Sequence, residues 1–193
     1  MQATAFDVLS RRQWLLLLAG SAAIGLPVAA LQAQSAVATA DLPTLGFLGF
    51  ELVDDQPDPA RHAALAGRLA LVGDLMAKGL TERGLYRVLD LTPASAEIAR
   101  ARDENEFLHR CNGCLTGVGE ALGTPLVGVG WVQRVSNLIL NINLAVWHVA
   151  DDRMTLTKSV DIRGDNDESW RRGVLYMLRD MAERRARQPR YGL

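Results

Sequence analysis

"SNLILNINLAVWHV", residues 136–149, decides how this chain folds. Leu138, Leu140, Ile142, Leu144 and Val146 share one side of a period-two pattern, and Asn137, Asn141 and Asn143 share the other. Two is the side-chain period of a pleated strand, so the run predicts a strand with one buried and one wet face. The "ADDR" that follows is too short for a crossover connection. The next alternating run, Met154, Leu156, Val160 and Ile162 in "MTLTKSVDI", must therefore return antiparallel.

Upstream of this hairpin, "PLVGVGWV" (125–132) is an apolar, glycine-bearing run bounded by a proline, and reads as a third strand. "TLGFLGFEL" (44–52) and "LYRVLDL" (85–91) supply the first and second. Between those two, Leu65, Leu69, Val72 and Met76 recur at helical spacing, with Leu75 and Leu80 alongside and Gly84 closing the helix. Thr92 caps and Pro93 opens a further helix, whose "ARARDENEF" predicts an exposed surface. "CLTGVGEALGT" is a short helix before Pro125. The chain closes on a helix with Trp170, Val174, Met177, Leu178 and Met181 on one stripe and Asn166 or Asp167 as its cap. The expectation is a single α/β domain over residues 41–185, a mixed β-sheet with packed helices in the order βαβαβββα. The first strands pair in parallel, and a basic tail occupies 186–193.

Residues 1–40 read as an export signal: Arg11 and Arg12 after Ser10, an apolar stretch from Trp14 to Leu31, and small residues offering cleavage after Ala33, Ala38 or Ala40. The serine and paired arginines are those of a twin-arginine leader, with Trp14 where a phenylalanine is usual. Interior Gly20, Gly25 and Pro27 favour removal over a lasting membrane anchor. The expected location is the periplasm, with no stable membrane span after cleavage.

The 193-residue chain has a net charge of −1; removing Asp7, Arg11 and Arg12 with the leader leaves 19 basic against 21 acidic residues. That balance argues against nucleic acid as a partner. Seven arginines between Arg171 and Arg190 face only Asp180 and Glu183, which suits a helix C-terminus or a surface for an acidic partner.

The only cysteines are Cys111 and Cys114, in "HRCNGC" (109–114). Haem attachment needs a histidine after the second cysteine, where Leu115 stands. Structural zinc wants four ligands, and His109 is the only other ligand near by. A redox pair expects the motif between a first strand and its helix, a context missing here. In an exported chain the two cysteines are expected to form a disulfide. "GVGEALG" is one residue too long for a dinucleotide fingerprint. The acidic residues of "SVDIRGDNDESW" lack the closing glutamate of a calcium loop, since the twelfth positions are Arg172 or Tyr176. No metal and no cofactor is expected.

"GWVQRVSNLILNINL" (130–144) places Trp131, Gln133, Arg134, Asn137, Asn141 and Asn143 on or beside one sheet. With Asp161 and Arg163 they are the candidate contacts for a ligand or partner. Polarity that protects a sheet from aggregation is the competing account.

"LGFLGFEL", "CNGC", "GWVQRVSNLILNINL" and "SVDIRGDNDESWRRG" together resemble a family of exported bacterial proteins defined as a domain of unknown function. The resemblance spans nearly all of the mature chain and carries over no catalytic residue. It implies a place beside periplasmic quinoprotein alcohol oxidation. The element order is also similar to the anticodon-binding-like fold of the TolB N-terminal domain and of lipoprotein activators of penicillin-binding proteins. The expected function is that of a non-enzymatic periplasmic accessory protein docking on another periplasmic protein. A thiol–disulfide protein using Cys111 and Cys114, or a small-ligand carrier, are the alternatives.

Overall fold

The alternation in 136–149 is realised as a strand over Ile139–His148, the fourth of a five-stranded sheet. The computed structural model describes residues 42–193; the expected export leader and its cleavage points lie outside them. The elements are β1 (Thr44–Asp54), α1 (His62–Glu82), β2 (Arg87–Val88), α2 (Ser95–Glu104), α3 (Cys114–Leu122), β3 (Leu126–Arg134), β4 (Ile139–His148), β5 (Arg153–Arg163) and α4 (Asp167–Arg187). Both helices expected between the second and third strands form, one more than the order βαβαβββα counts. Among the described residues no helix is long and apolar enough to cross a membrane.

The sheet order is β2-β1-β3-β4-β5. β1 lies parallel to β2 and β3, and β3, β4 and β5 form an antiparallel meander. Leu140, Ile142, Leu144 and Val146 are fully buried against α1 and α4, together with Val72, Met76, Trp170 and Met177. Leu138, expected on that face, lies in the β3–β4 turn and is 71% exposed. Met154 is also exposed, because a register shift at Val146/Trp147 takes it off the buried side. Gly79 lets α1 approach α4 closely, since any Cβ there would collide with Leu178.

The second face is not simply wet. α2 and α3 pack on it, burying Ile98, Ala101, Leu115 and Val118 against Leu48, Val127 and Val129. Length decides how far this cover extends. α1 and α4 have 21 residues each and α2 and α3 only 10 and 9. At 1.5 Å per residue that is about 31 Å against about 15 Å, while strands of nine to eleven residues run roughly 30–36 Å. One face is covered from end to end and the other over about half its length.

Two local expectations need correction. The second strand is two residues long, not seven: it pairs only at Thr44↔Arg87 and Leu45↔Val88, although Leu85 and Tyr86 are buried as an apolar run would be. The acceptor that starts the next segment is Asp90, whose Oδ1 takes hydrogen bonds from the Thr92 N–H (3.2 Å) and hydroxyl (2.9 Å). Thr92–Ala94 then forms a 3-10 turn, and α2 begins at Ser95. Asn166 caps α4 as expected, its side chain accepting from the Ser169 N–H at 3.0 Å.

A buried ionic cluster ties the strand ends together. The Asp165 carboxylate, 2% exposed, accepts from Trp170 Nε1 at 3.0 Å, Arg68 Nη1 at 3.0 Å and Arg134 Nε at 3.3 Å, and also from Arg61. Arg134, itself 3% exposed, donates to Asp54 at 2.5 Å, the Gln56 carbonyl at 2.8 Å and Asn137 Oδ1 at 2.7 Å. Arg68 also pairs with Asp167 at 2.8 Å. These contacts join the end of β1, the start of α1, the β3–β4 turn and the β5–α4 loop.

The boundary expected at 185/186 falls inside α4, and the last residues fold back onto the domain. Tyr191 packs against the main core, and the buried Tyr86 hydroxyl donates to the Gly192 carbonyl at 2.7 Å.

Removing one partner of a buried pair strands the other, so Asp165→Ala is expected to cost about 3–5 kcal/mol in urea unfolding. Exposed Asp55→Ala is expected to stay within about 0.5 kcal/mol. Burial pushes the Tyr86 hydroxyl up to about 12 from 10.0, with Arg185 pulling the other way. The unfolded chain releases this proton first, so the contribution to stability is complete below pH 10 and is lost as the pH rises through 12. A spectrophotometric titration should show one tyrosine ionising near pH 12, a step absent from Tyr86→Phe.

Candidate functional site

The uncovered half of the second face is where the sequence-predicted residues gather. Register sets Trp131 opposite Asn143, Gln133 opposite Asn141, Asn141 opposite Asp161 and Ile139 opposite Arg163. Residues two apart on a strand share a face, so Trp131, Gln133, Asn141, Asn143, Asp161 and Arg163 all lie on this one. Its cross-strand pairs are polar: Asn141 Nδ2 donates to Asp161 Oδ1, and Asn143 Nδ2 donates to the Trp131 and Asn141 carbonyls, each at 3.4 Å. Asp161 and Arg163 are exposed, and Gln133 and Asn141 half-buried.

Three candidates sit differently from expectation. Arg134 points to the opposite side and is consumed by Asp54, Asp165 and Asn137, so it is an internal strut and offers no contact surface. Asn143 is 8% exposed, at the edge of the covered half. Asn137 is exposed, but its amide oxygen is already taken by Arg61 and Arg134.

Sequence reasoning missed the wall of the patch. The Trp131 indole is half-buried beneath the His109 ring, at 4.4 Å and 7° between planes. His109 is held by Glu51 on β1, whose carboxylate receives the Leu108 N–H at 2.6 Å and the His109 N–H at 3.3 Å, and contacts His109 Nδ1 at 2.9 Å. Nothing near residue 109 signals this, because Glu51 is 58 residues away. The Cys111–Cys114 disulfide follows directly and joins the 3-10 turn Leu108–Arg110 to the first residue of α3. Both cysteines pack against the second core, so the bridge helps hold His109 over the sheet.

At the far end of the patch the β3–β4 turn projects Val135 (38% exposed), Leu138 (71%) and Ile139 (42%). The turn is well ordered by hydrogen bonds. Val135 and Ser136 donate to the Ile139 carbonyl at 3.1 Å, and Gly164 and Asp165 donate to the Leu138 and Asn137 carbonyls at 3.2 and 3.0 Å. A rigid apolar tip beside a ladder of amides and a carboxylate suits recognition of a polypeptide surface: the tip gives up water, and the ladder supplies donors and acceptors. Among the described residues no three His, Cys, Asp or Glu side chains are grouped to hold a metal ion.

No curated protein matches this chain. Among solved structures it is similar to TolB from Acinetobacter baumannii at 12% identity and TM-score 0.45, over 77% of this chain and 29% of TolB. It is also similar to the LpoB C-terminal domain from Salmonella enterica at 10% identity and TM-score 0.39, over 67% of this chain and 90% of that one. Lipoprotein GNA1162 from Neisseria meningitidis gives 13% identity and TM-score 0.42, over 73% and 99%. The chain thus spans under a third of TolB's length. The distant likeness to TolB and LpoB expected from the element order is found, and at these scores it carries no argument about activity. The model of the family described as "Protein of unknown function (DUF2380)" matches residues 43–181, more than half of the chain, and the chain therefore belongs to that family, DUF3280.

Proposed function

We propose that this chain is a non-enzymatic accessory protein of the periplasm that docks on another protein through the uncovered half of its sheet. One observation carries the reading. Of the seven large hydrophobic side chains exposed among the described residues, three (Val135, Leu138 and Ile139) stand within one five-residue stretch at the β3–β4 turn. That turn borders Gln133, Asn141, Asp161 and Arg163. Burying an apolar patch of this kind is favourable by roughly 25 cal/mol per Å², and the polar ladder beside it supplies register. The family resemblance makes a component of a quinoprotein alcohol-oxidation system the first partner to test.

The Cys111–Cys114 bridge serves as a staple in this reading. Reducing it should lower unfolding stability by only about 2 kcal/mol, and Cys111→Ser should keep docking intact. Loss of function in Cys111→Ser at unchanged fold would favour the thiol–disulfide alternative.

A photoreactive residue at Leu138 or Gln133, in the full chain expressed in cells, should give one discrete cross-linked adduct. A photoreactive residue at Arg87, on the far strand, should not. Leu138→Asp should abolish the Gln133 adduct while changing stability by no more than about 0.5 kcal/mol, as befits an exposed position. Adducts that are absent, or equally abundant from Arg87, would overturn the proposal.

A further inference from the structure

β5 is the outermost strand on its side of the sheet and pairs only with β4, so half of its backbone N–H and C=O groups point away from the sheet. The opposite edge is only two residues long, whereas β5 runs for eleven with no proline. A groove of 540 Å³ follows this free edge. Its floor is the unbroken run Ser159–Arg163, and its wall is Ser169, Arg172, Gly173 and Tyr176 of α4.

The groove has two fixed ends. At one, the Ser169 hydroxyl donates to the Arg163 carbonyl at 2.9 Å. At the other, Lys158 is paired with Asp180, whose carboxyl is held below the usual range by hydrogen bonds from Lys158 and Arg184. Between these pins Gly173 packs so tightly on Ile162 and Ile142 that no Cβ would fit, so that turn of α4 is seated deep on the sheet. Arg172 and Tyr176 are exposed beside it, with the Arg179 guanidinium 5.3 Å from the Tyr176 ring. Helix side chains thus line the position that a further strand would occupy.

Charge selects the occupant. Arg163 and Arg172 line the groove against one carboxylate, Asp161, which is already engaged by Asn141. The contact of Arg172 with Glu168 is a 3.6 Å pair exposed on both sides, of a kind worth little. A second copy of the chain is a poor fit. Full antiparallel overlap of two β5 strands sets Lys158 against Lys158 and Arg153 against Arg163, and like charges directly opposite are destabilising. We infer that the free edge of β5 accepts an extended, acidic segment of a partner protein as a sixth strand, with one acidic side chain reaching Arg172 on the α4 side and another reaching Arg163 on the opposite face. Main-chain hydrogen bonds would supply affinity and the α4 wall specificity. This rests on the docking reading above and adds a mode of attachment distinct from the β3–β4 tip.

The test uses a randomised display library of linear peptides about ten residues long, a typical strand length, panned against the disulfide-intact protein. The expected binders share acidic residues directed to both faces of the added strand and slow amide hydrogen exchange across residues 157–163. Arg172→Glu should weaken them about tenfold, the size of a lost charge contact, and Arg172→Lys should weaken them less. Failure to select binders, binders without acidic residues, protection elsewhere in the chain, or self-association protecting β5 would each overturn the inference. Adducts from Leu138 and Gln133 alongside such a failure would leave the docking reading standing and sink strand addition alone.

Discussion

The structure depends on a carboxylate that is almost wholly shielded from water. Asp165 sits among Arg61, Arg68 and Arg134, with Trp170 donating to it as well, and the surrounding cluster balances three arginines with Asp54, Asp165 and Asp167. Isolated charges this deep would be untenable, and only their mutual satisfaction makes the arrangement stable. Four separate stretches of chain meet there. The β3–β4 turn is therefore held at one angle, and the apolar residues on its tip are presented by a rigid base.

How much of this was legible depends on how local each signal was. The period-two pattern from Leu140 to Val146 and the helical stripe from Leu65 to Leu80 encode their own burial, and both elements formed where the periodicity put them. Asn166 was readable as a cap because its partner Ser169 is three residues on. Asp165 was readable only as one acid among several near a helix start. Its arginine partners lie 31 to 104 residues away, and no spacing rule links them. For the same reason the local pattern around Arg134 reads as a contact residue, while its partners Asp54 and Asp165 lie far along the chain. Alternation told correctly which face Asn141 and Asn143 share, but not how far α2 and α3 would reach across it.

That reach follows from arithmetic on element length, and it divides the sheet's second face into two territories. Over one half, short helices bury Val127 and Val129 in a small secondary core. Over the other, the same strands continue with amides and charges, and the stacked pair His109 and Trp131 marks the frontier. Such a division leaves the open half free to change its side chains without disturbing either core.

The position of β1 has a consequence for how the molecule reaches this state. It is the first strand in sequence yet is paired on both sides, between β2 and β3. β3, β4 and β5 are neighbours along the chain, and a pairing such as Arg134↔Leu140 closes a loop of a few residues. Gly46 must instead find Val127, 81 positions later. Pairings of that separation are the slow ones, because closure entropy is lost before the contact is gained. The meander is thus assembled early, and β3, with its run of valines, carries an unpaired border until the N-terminal strand arrives. The length of that interval sets how long an unpaired strand border is offered to other newly made chains.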